Sequence, residues 1–325
     1  MTGKAAGMNS HHKENEKISL LVIVGPTAVG KTKLSIELAQ LLGGEIVSAD
    51  SVQVYRYLDI GSAKPSLKER NIVAHHMIDI VEPDVNFTVY DYQKKAAEVI
   101  NDIHKRGMLP LLVGGTGLYI KALLDQYNFS GVKVNPRVRR RLEEKIRDNG
   151  NEHMYDILRN IDLSAAEKIH PNDSKRITRA LEFYYQTGEP ISRQWERTKE
   201  KVSPYDPTII GLTMERNKLY TQIDKRVEKM IEKGLHEEVK ELLKKGYHSG
   251  LKSLQALGYK QMFEYLQGKR SWEEAIALFK RDTRRYAKRQ LTWFKADPRV
   301  YWLKIEPAMD LKPLLDNICM RVKGY

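Results

Sequence analysis

Apolar residues recur along this chain in two patterns. Runs that are apolar throughout, LLVIV at residues 20–24, LPLLV at 109–113 and the IIGL stretch within 208–212, have the length and branched content of strands buried on both faces of a parallel sheet. A further strand is expected over residues 45–48. Met77, Ile78 and Ile80 predict a short one ahead of Pro83. Between these runs the apolar period changes to that of a helix, over residues 33–42 and again over 88–106, where Thr88 and Asp91 have capping-box spacing and Gly107 supplies a stop. Strand and helix in alternation predict an α/β fold with a parallel sheet and helices on both faces.

From about residue 129 the pattern becomes charged and helical. In NPRVRRRLEEKIRDNG and EHMYDILRNID the positions Val138, Leu142, Ile146, Tyr155 and Leu158 recur at helical spacing, so residues 129–200 read as a mainly helical insertion. Arg137, Arg139, Arg140 and Arg141 fit a solvated face or a nucleic-acid contact equally well. Further on, Asp173 or Ser174 can cap a helix that carries Arg176 and Arg179 on one side, with Ile177, Ala180, Leu181 and Tyr184 on the other. Two such guanidiniums suit phosphate groups, which arginine binds bidentately. The last third returns to helix over 218–233 and 236–245, stopped by Gly234 and Gly246. A third helix opens on the Ser271/Glu274 capping box. Its basic residues, Arg284 and Lys288 among them, interleave with Tyr286, Trp293 and Phe294. Those aromatics fit either a core or base stacking on single-stranded RNA.

The most specific chemistry follows the first apolar run. GPTAVGKT places Gly25, Gly30, Lys31 and Thr32 at the fixed positions of a phosphate-binding loop, between a strand and an amphipathic helix as that motif requires. Backbone N–H groups there wrap a diphosphate, Lys31 adds a positive charge, Thr32 offers a hydroxyl to Mg²⁺, and the helix N-terminus favours the anion. In a parallel sheet, ligands gather where strands end. Asp50 after the second strand, Thr116 after GG at 114–115, and Arg216 after the IIGL strand should therefore line one crevice. Asp50 can also serve as a turn cap, and Thr116 can belong to a plain strand-to-helix turn. The strand ending in Gly114 and Gly115 lacks the acid with which nucleotide hydrolases and kinases hold Mg²⁺, and those glycines would let a backbone approach a ligand.

Composition narrows the class of partner. With 55 Lys and Arg against 42 Asp and Glu the 325-residue chain carries a formal charge of +13, which points to a polyanion. No apolar run approaches a membrane span, and the polar leader, residues 1–17, is expected to be disordered. A single cysteine, Cys319, excludes an internal disulfide and any cysteine-based zinc site, in keeping with a reducing cytoplasm.

GPTAVGKT, SADSVQVY, DIGSAKP, LLVGGTGLY, DSKRITRALE, LGYKQ and TRRYAKRQLTWF, in this order from Val24 to about Phe294, resemble the bacterial tRNA dimethylallyltransferases, also called tRNA isopentenyltransferases. The resemblance implies a P-loop NTPase-like core over residues 18–128 and 201–325 and a tRNA-binding helical insertion over 129–200. It also implies transfer of a dimethylallyl group from dimethylallyl diphosphate to the exocyclic amine of the adenosine 3′ of the anticodon, with Mg²⁺ and with no membrane or protein partner. By position, Asp50 resembles the family's general base, and Thr116 touches the reacting region. Gly25, Pro26, Thr27, Ala28, Val29, Gly30, Lys31 and Thr32 would cradle the diphosphate, with Arg216 stabilising it as it leaves and Thr32 meeting the metal. Asp50, Ser51, Val52, Gln53 and Thr116, the run Lys175, Arg176, Ile177, Thr178 and Arg179, and Arg284 with Lys288 match tRNA-contacting stretches. Val29 stands where many members carry serine, and Lys175 where glutamine is common. The zinc finger of eukaryotic members has no counterpart here. A P-loop kinase that phosphorylates a small molecule or nucleotide is the alternative from another class.

Overall fold

In a computed structural model, residues 17–129 and 135–322 are described. The expected leader lies outside them except for Lys17. The elements run β1 (Ile18–Val24), α1 (Lys31–Leu41), β2 (Gly44–Ala49), α2 (Leu67–Ile72), β3 (His75–His76), α3 (Val89–Lys105), β4 (Leu109–Gly114), α4 (Gly117–Leu124), α5 (Pro136–Ile161), α6 (Leu163–Ala166), α7 (Ser174–Thr187) and α8 (Ile191–Lys199). They continue with β5 (Tyr205–Thr213), α9 (Arg216–Glu232), α10 (Leu235–Lys244), α11 (Tyr259–Leu266), α12 (Trp272–Lys295), β6 (Tyr301–Lys304) and α13 (Lys312–Cys319). The chain divides into two compact units, residues 1–120 with 204–325, and residues 121–203.

The first unit is built on one six-stranded sheet in the order β3-β2-β4-β1-β5-β6, with every pair parallel. β1 lies inside it, in register with β4 on one side (Ile23 beside Val113) and β5 on the other (Ile23 beside Ile210). Successive side chains of a strand point to opposite faces. Leu21 and Ile23 accordingly join a core with Leu34 and Leu38 of α1, Leu219 and Ile223 of α9, Ala287 of α12 and Ile318 of α13. Leu20, Val22 and Val24 are equally buried on the other face, and α3 packs on β2 and β4. The loops that leave β1, β2, β4 and β5 emerge at one edge of the sheet, where ligands of parallel sheets bind.

α3 begins as expected, with Thr88 and Asp91 closing a reciprocal capping box, and Gly107 follows its end at φ 74°. The short strand expected at Met77, Ile78 and Ile80 is corrected to His75–His76. Met77 and Asp79 take left-handed φ values of 62° and 56°, incompatible with a strand. Asp79 is turned there toward the Lys64 ammonium at 2.6 Å and the Arg70 guanidinium at 2.8 Å.

The second unit is helical. α5, interrupted at Gly150 (φ 81°), α6, α7 and α8 enclose a core that includes Leu142, Leu158, Ile177, Leu181 and Phe183. Asp162 ties two of its helices. One carboxylate oxygen caps α6 by accepting from Ala165 N–H, and the other accepts from Ser192 N–H at 2.9 Å.

Candidate active site

The loop between β1 and α1 has the backbone geometry of an anion cradle. Gly25 takes φ 145°, and a Cβ there would stand 2.6 Å from Leu212 O, so only glycine fits. Gly30 (φ 102°) opens α1 with no side-chain cap, which leaves the helix N-terminus bare toward the crevice. Lys31 folds over the loop and donates to Gly25 O at 2.9 Å and Pro26 O at 2.8 Å. Its ammonium is pushed down to about 7, first by burial and then by the neighbouring Arg226 charge, with Asp50 opposing both. Thr32 is exposed beside it.

Asp50 leaves the end of β2 in a turn of its own making. Its Oδ1 accepts from Val52 N–H at 2.8 Å and Gln53 N–H at 3.3 Å, so the capping role is real. Its Oδ2 makes no hydrogen bond among the described residues, so the turn fixes the carboxylate and leaves one oxygen for chemistry. Thr116 accepts from Ser51 N–H at 3.0 Å through Oγ1, while its own N–H donates to Ala49 O at 3.1 Å. Thr116 thus locks the Asp50 turn to the end of β4. Gly114 serves close packing, since a Cβ on it would strike Ala49, and Gly117 is likewise covered by the Trp293 ring. Packing of strand on strand and helix on helix by itself requires glycine at Gly114 and Gly117. Gln53 spends its amide internally, accepting from Ser48 Oγ at 2.9 Å and donating to Ser62 O and Ala63 O. Val52 packs on the apolar cluster beneath it.

Arg216 does not join this group. It is exposed in the first turn of α9, and its Nε donates to Tyr220 Oη at 3.2 Å with the guanidinium over that ring. The guanidinium whose charge acts on Lys31 and is balanced by Asp50 belongs to Arg226, nearly three turns further along the same helix. Burial lowers its pKa while the Asp50 carboxylate raises it. Arg226 was not singled out because it lies mid-helix, away from any strand end, in a run of charged residues. Its position just before buried Val227 was the only signal. Around Asp50 stand three tyrosines, Tyr92, Tyr119 and Tyr286, each with its hydroxyl pKa raised by burial and by the Asp50 charge. Tyr92 and Tyr119 stack at 4.0 Å, with the Tyr92 hydroxyl on Ser48 O at 3.0 Å.

The candidate RNA residues are sorted by exposure. In α7, capped by Asp173 through Arg176 N–H, Ile177 and Thr178 are buried at 0 % and 3 %, so of the expected run only the side chains of Lys175, Arg176 and Arg179 reach the surface. Arg179 is held by wholly buried Glu182 at 3.1 Å. On α12, Lys288 is exposed, whereas Arg284 lies over Tyr220 and pairs with Asp224 at 3.4 Å. The aromatics divide: Phe294 is core at 4 % exposure, and Trp293 is 45 % exposed.

No cluster of three His, Cys, Asp or Glu residues that could hold a metal occurs among the described residues. A divalent ion here would rest on the Thr32 hydroxyl, water and the oxygens of a bound diphosphate, a hard-oxygen set that suits Mg²⁺.

Residues 53–297 match the IPP transferase family model. A tRNA dimethylallyltransferase of Carboxydothermus hydrogenoformans is 51 % identical over 283 residues, 87 % of this chain and 91 % of that protein. One from Alkaliphilus metalliredigens is 48 % identical over 95 % of this chain and 98 % of that protein. Among solved structures, the tRNA isopentenylpyrophosphate transferase of Bacillus halodurans superposes with a TM-score of 0.70 at 44 % identity, covering 94 % of this chain and 97 % of that one. A eukaryotic dimethylallyltransferase acting on tRNA gives 0.78 at 30 % identity, over 94 % and 77 %. These relatives lend no support to a kinase. The crevice at the sheet edge thus lies in a chain that belongs to the IPP transferase family, that of the tRNA dimethylallyltransferases.

Proposed function

We propose that this chain transfers the dimethylallyl group of dimethylallyl diphosphate to the exocyclic amine of the adenosine 3′ of the anticodon in tRNA, releasing diphosphate. The observation that supports it most is the pairing, in one crevice, of a carboxylate with an unengaged oxygen, Asp50, and two partly buried cations, Lys31 and Arg226. The donor's diphosphate would lie in the Gly25 to Thr32 loop, drawing Lys31 off the Gly25 and Pro26 carbonyls. Asp50 Oδ2 takes a proton from the amine as nitrogen attacks the allylic carbon and the carbon–oxygen bond to diphosphate breaks. An adenine amine is a poor nucleophile, and a positioned base of this kind is worth ~10²–10⁴-fold. Lys31 and Arg226 neutralise the charge that grows on the leaving group, where the effect of a fixed cation is largest. Thr32 and the diphosphate would hold Mg²⁺, which would add charge neutralisation on the leaving group. The adenosine is turned out of its loop to reach the crevice, at a cost of a few kcal/mol. The basic residues Lys175, Arg176 and Arg179 of the helical unit, with Lys288, contact the tRNA backbone. A cytoplasmic setting agrees with the substrate, and no helix among the described residues is long and apolar enough to cross a membrane.

The test is a transfer assay with Mg²⁺, labelled dimethylallyl diphosphate and unmodified tRNA, run beside labelled ATP. Label in tRNA from the allylic donor alone is the expected result. Phosphate transfer from ATP without allylic label would overturn the proposal.

A further inference from the structure

Gln290 lies in the middle of α12 at 5 % exposure, between two lysine- and arginine-bearing turns that face solvent. Its side chain is turned into the fold. Oε1 accepts from the backbone N–H of Thr27, in the phosphate loop, at 2.8 Å, and Nε2 donates to the backbone carbonyl of Gly115, at the end of β4, at 3.0 Å. The two loops leave neighbouring strands and share no other side-chain bridge among the described residues. A Cβ on Gly115 would collide with Nε2, so the glycine after β4 makes room for this amide. One turn earlier on α12, half-buried Tyr286 stands close to Gln290, Thr116 and Asp50, and burial together with the Asp50 charge raises its hydroxyl pKa to about 12. Thr116 in turn holds Ser51 N–H in the Asp50 turn. Gln290 therefore ties the phosphate loop to Gly115, the residue before Thr116, which holds the turn of the base, and Tyr286 stands beside this link.

We infer that Gln290 and Tyr286 are positioning residues, which set the distance between the diphosphate cradle and the Asp50 carboxylate. The inference rests on the prenyl-transfer reading above. Glutamine suits the role because one planar amide presents an acceptor and a donor at fixed separation. Buried and fully satisfied, it is rigid, and loss of either partner leaves a buried backbone group unpaired. A displacement of the order of 1 Å between reacting groups costs ~10²-fold in rate, while each substrate still binds.

The experiment compares Gln290→Met, close in size but unable to donate or to accept as an amide does, and Tyr286→Phe, which removes one hydroxyl, with the unaltered enzyme. Transfer by the unaltered enzyme is established first, so its absence would count against the functional reading and not against this one. We expect kcat to fall ~10–100-fold in Gln290→Met and ~3–10-fold in Tyr286→Phe. The tRNA dissociation constant and the KM for dimethylallyl diphosphate stay within about threefold, and the pH profile of kcat keeps its shape. The double variant should lose less than the product of the two, because both act on one chain of contacts. An unchanged kcat per folded molecule would overturn the inference as a purely structural role. A raised tRNA dissociation constant at unchanged kcat would overturn it in favour of an RNA contact. Should Gln290→Met fail to fold, Tyr286→Phe alone decides between these outcomes.

Discussion

At the scale of single residues, the chemistry is set by where charge is buried. Lys31 sits near pKa 7 in the ligand-free protein because burial and Arg226 disfavour its proton. A bound diphosphate reverses that, so binding at pH 8 is coupled to uptake of a proton by Lys31. The affinity for inorganic pyrophosphate should then fall as pH rises above 7, by at most about tenfold per unit until the raised pKa of the complex is reached. Calorimetry at pH 8 in two buffers of different ionisation enthalpy checks this: Lys31→Met should remove close to one proton from the measured uptake, and equal uptake in both proteins would refute it. The two arginines of α9 make opposite predictions. Arg226→Ala should lower kcat by ~10²–10³-fold, and Arg216→Ala by no more than a few-fold, both read from initial rates at saturating donor. The glycine and lysine spacing of the phosphate loop marks a strand-to-helix turn in the sequence, and the fold has that turn; Asp50 was expected at the end of β2, where it stands, and also caps the turn there. Arg226 was not, because which side of a long charged helix faces the crevice depends on packing that no local pattern carries. Gln53 and Thr116 were recognised as important, yet their hydrogen bonds run to backbone groups of the Asp50 scaffold, which only the fold brings near.

The elements themselves follow local rules closely. Four of the six strands, β1, β2, β4 and β5, contain the apolar runs expected of them, while β6, whose residues are exposed or half-buried, was not anticipated, and β3, two residues long, owes its existence to pairing with Ile46 and Val47 of β2. Capping signals were the most dependable boundary marks. Thr88 for α3 and Ser271 for α12 both close the boxes their spacing implies. Removing one has a calculable effect: Thr88→Ala leaves Asp91 N–H without its acceptor and should destabilise the first unit by ~1 kcal/mol, measured as a shift in the denaturation midpoint with unchanged slope. The glycines at the end of β4 have a packing reason that the sequence pattern does not reveal. A glycine pair at a strand end looks the same in sequence whether a ligand or a neighbouring chain segment needs the space, and here Ala49, Gln290 and Trp293 take it.

For the molecule as a whole, stability in acid is concentrated where separate elements are pinned together. Glu45 on β2 accepts two hydrogen bonds from Arg106, at the end of α3, and one from His76 on β3 at 2.7 Å. The Arg106 hydrogen bonds, aided by His76, hold its carboxyl down at about 2. The unfolded carboxyl titrates near 4.5, so this contribution is complete above that pH and is lost as pH falls from about 4.5 to 2. It amounts to ~2 kcal/mol after allowance for the half-exposed Arg106. Urea midpoints for Glu45→Gln against the unaltered protein should differ most at pH 6, by less than half as much at pH 3, and converge only towards pH 2.

The sheet order has a consequence for how the chain is made. β1, which carries the phosphate loop, is flanked by β4 and by β5, and β5 begins only at Tyr205, after the whole helical unit of residues 121–203 has been synthesised. On a ribosome the first strand to emerge is thus among the last to be enclosed, with one long edge open for some 180 residues of synthesis. The helical unit, whose contacts are local, can close in the meantime. Exposed apolar strand edges are what chaperones recognise and what aggregation uses. The site that defines the enzyme is, during its birth, the most vulnerable part of it.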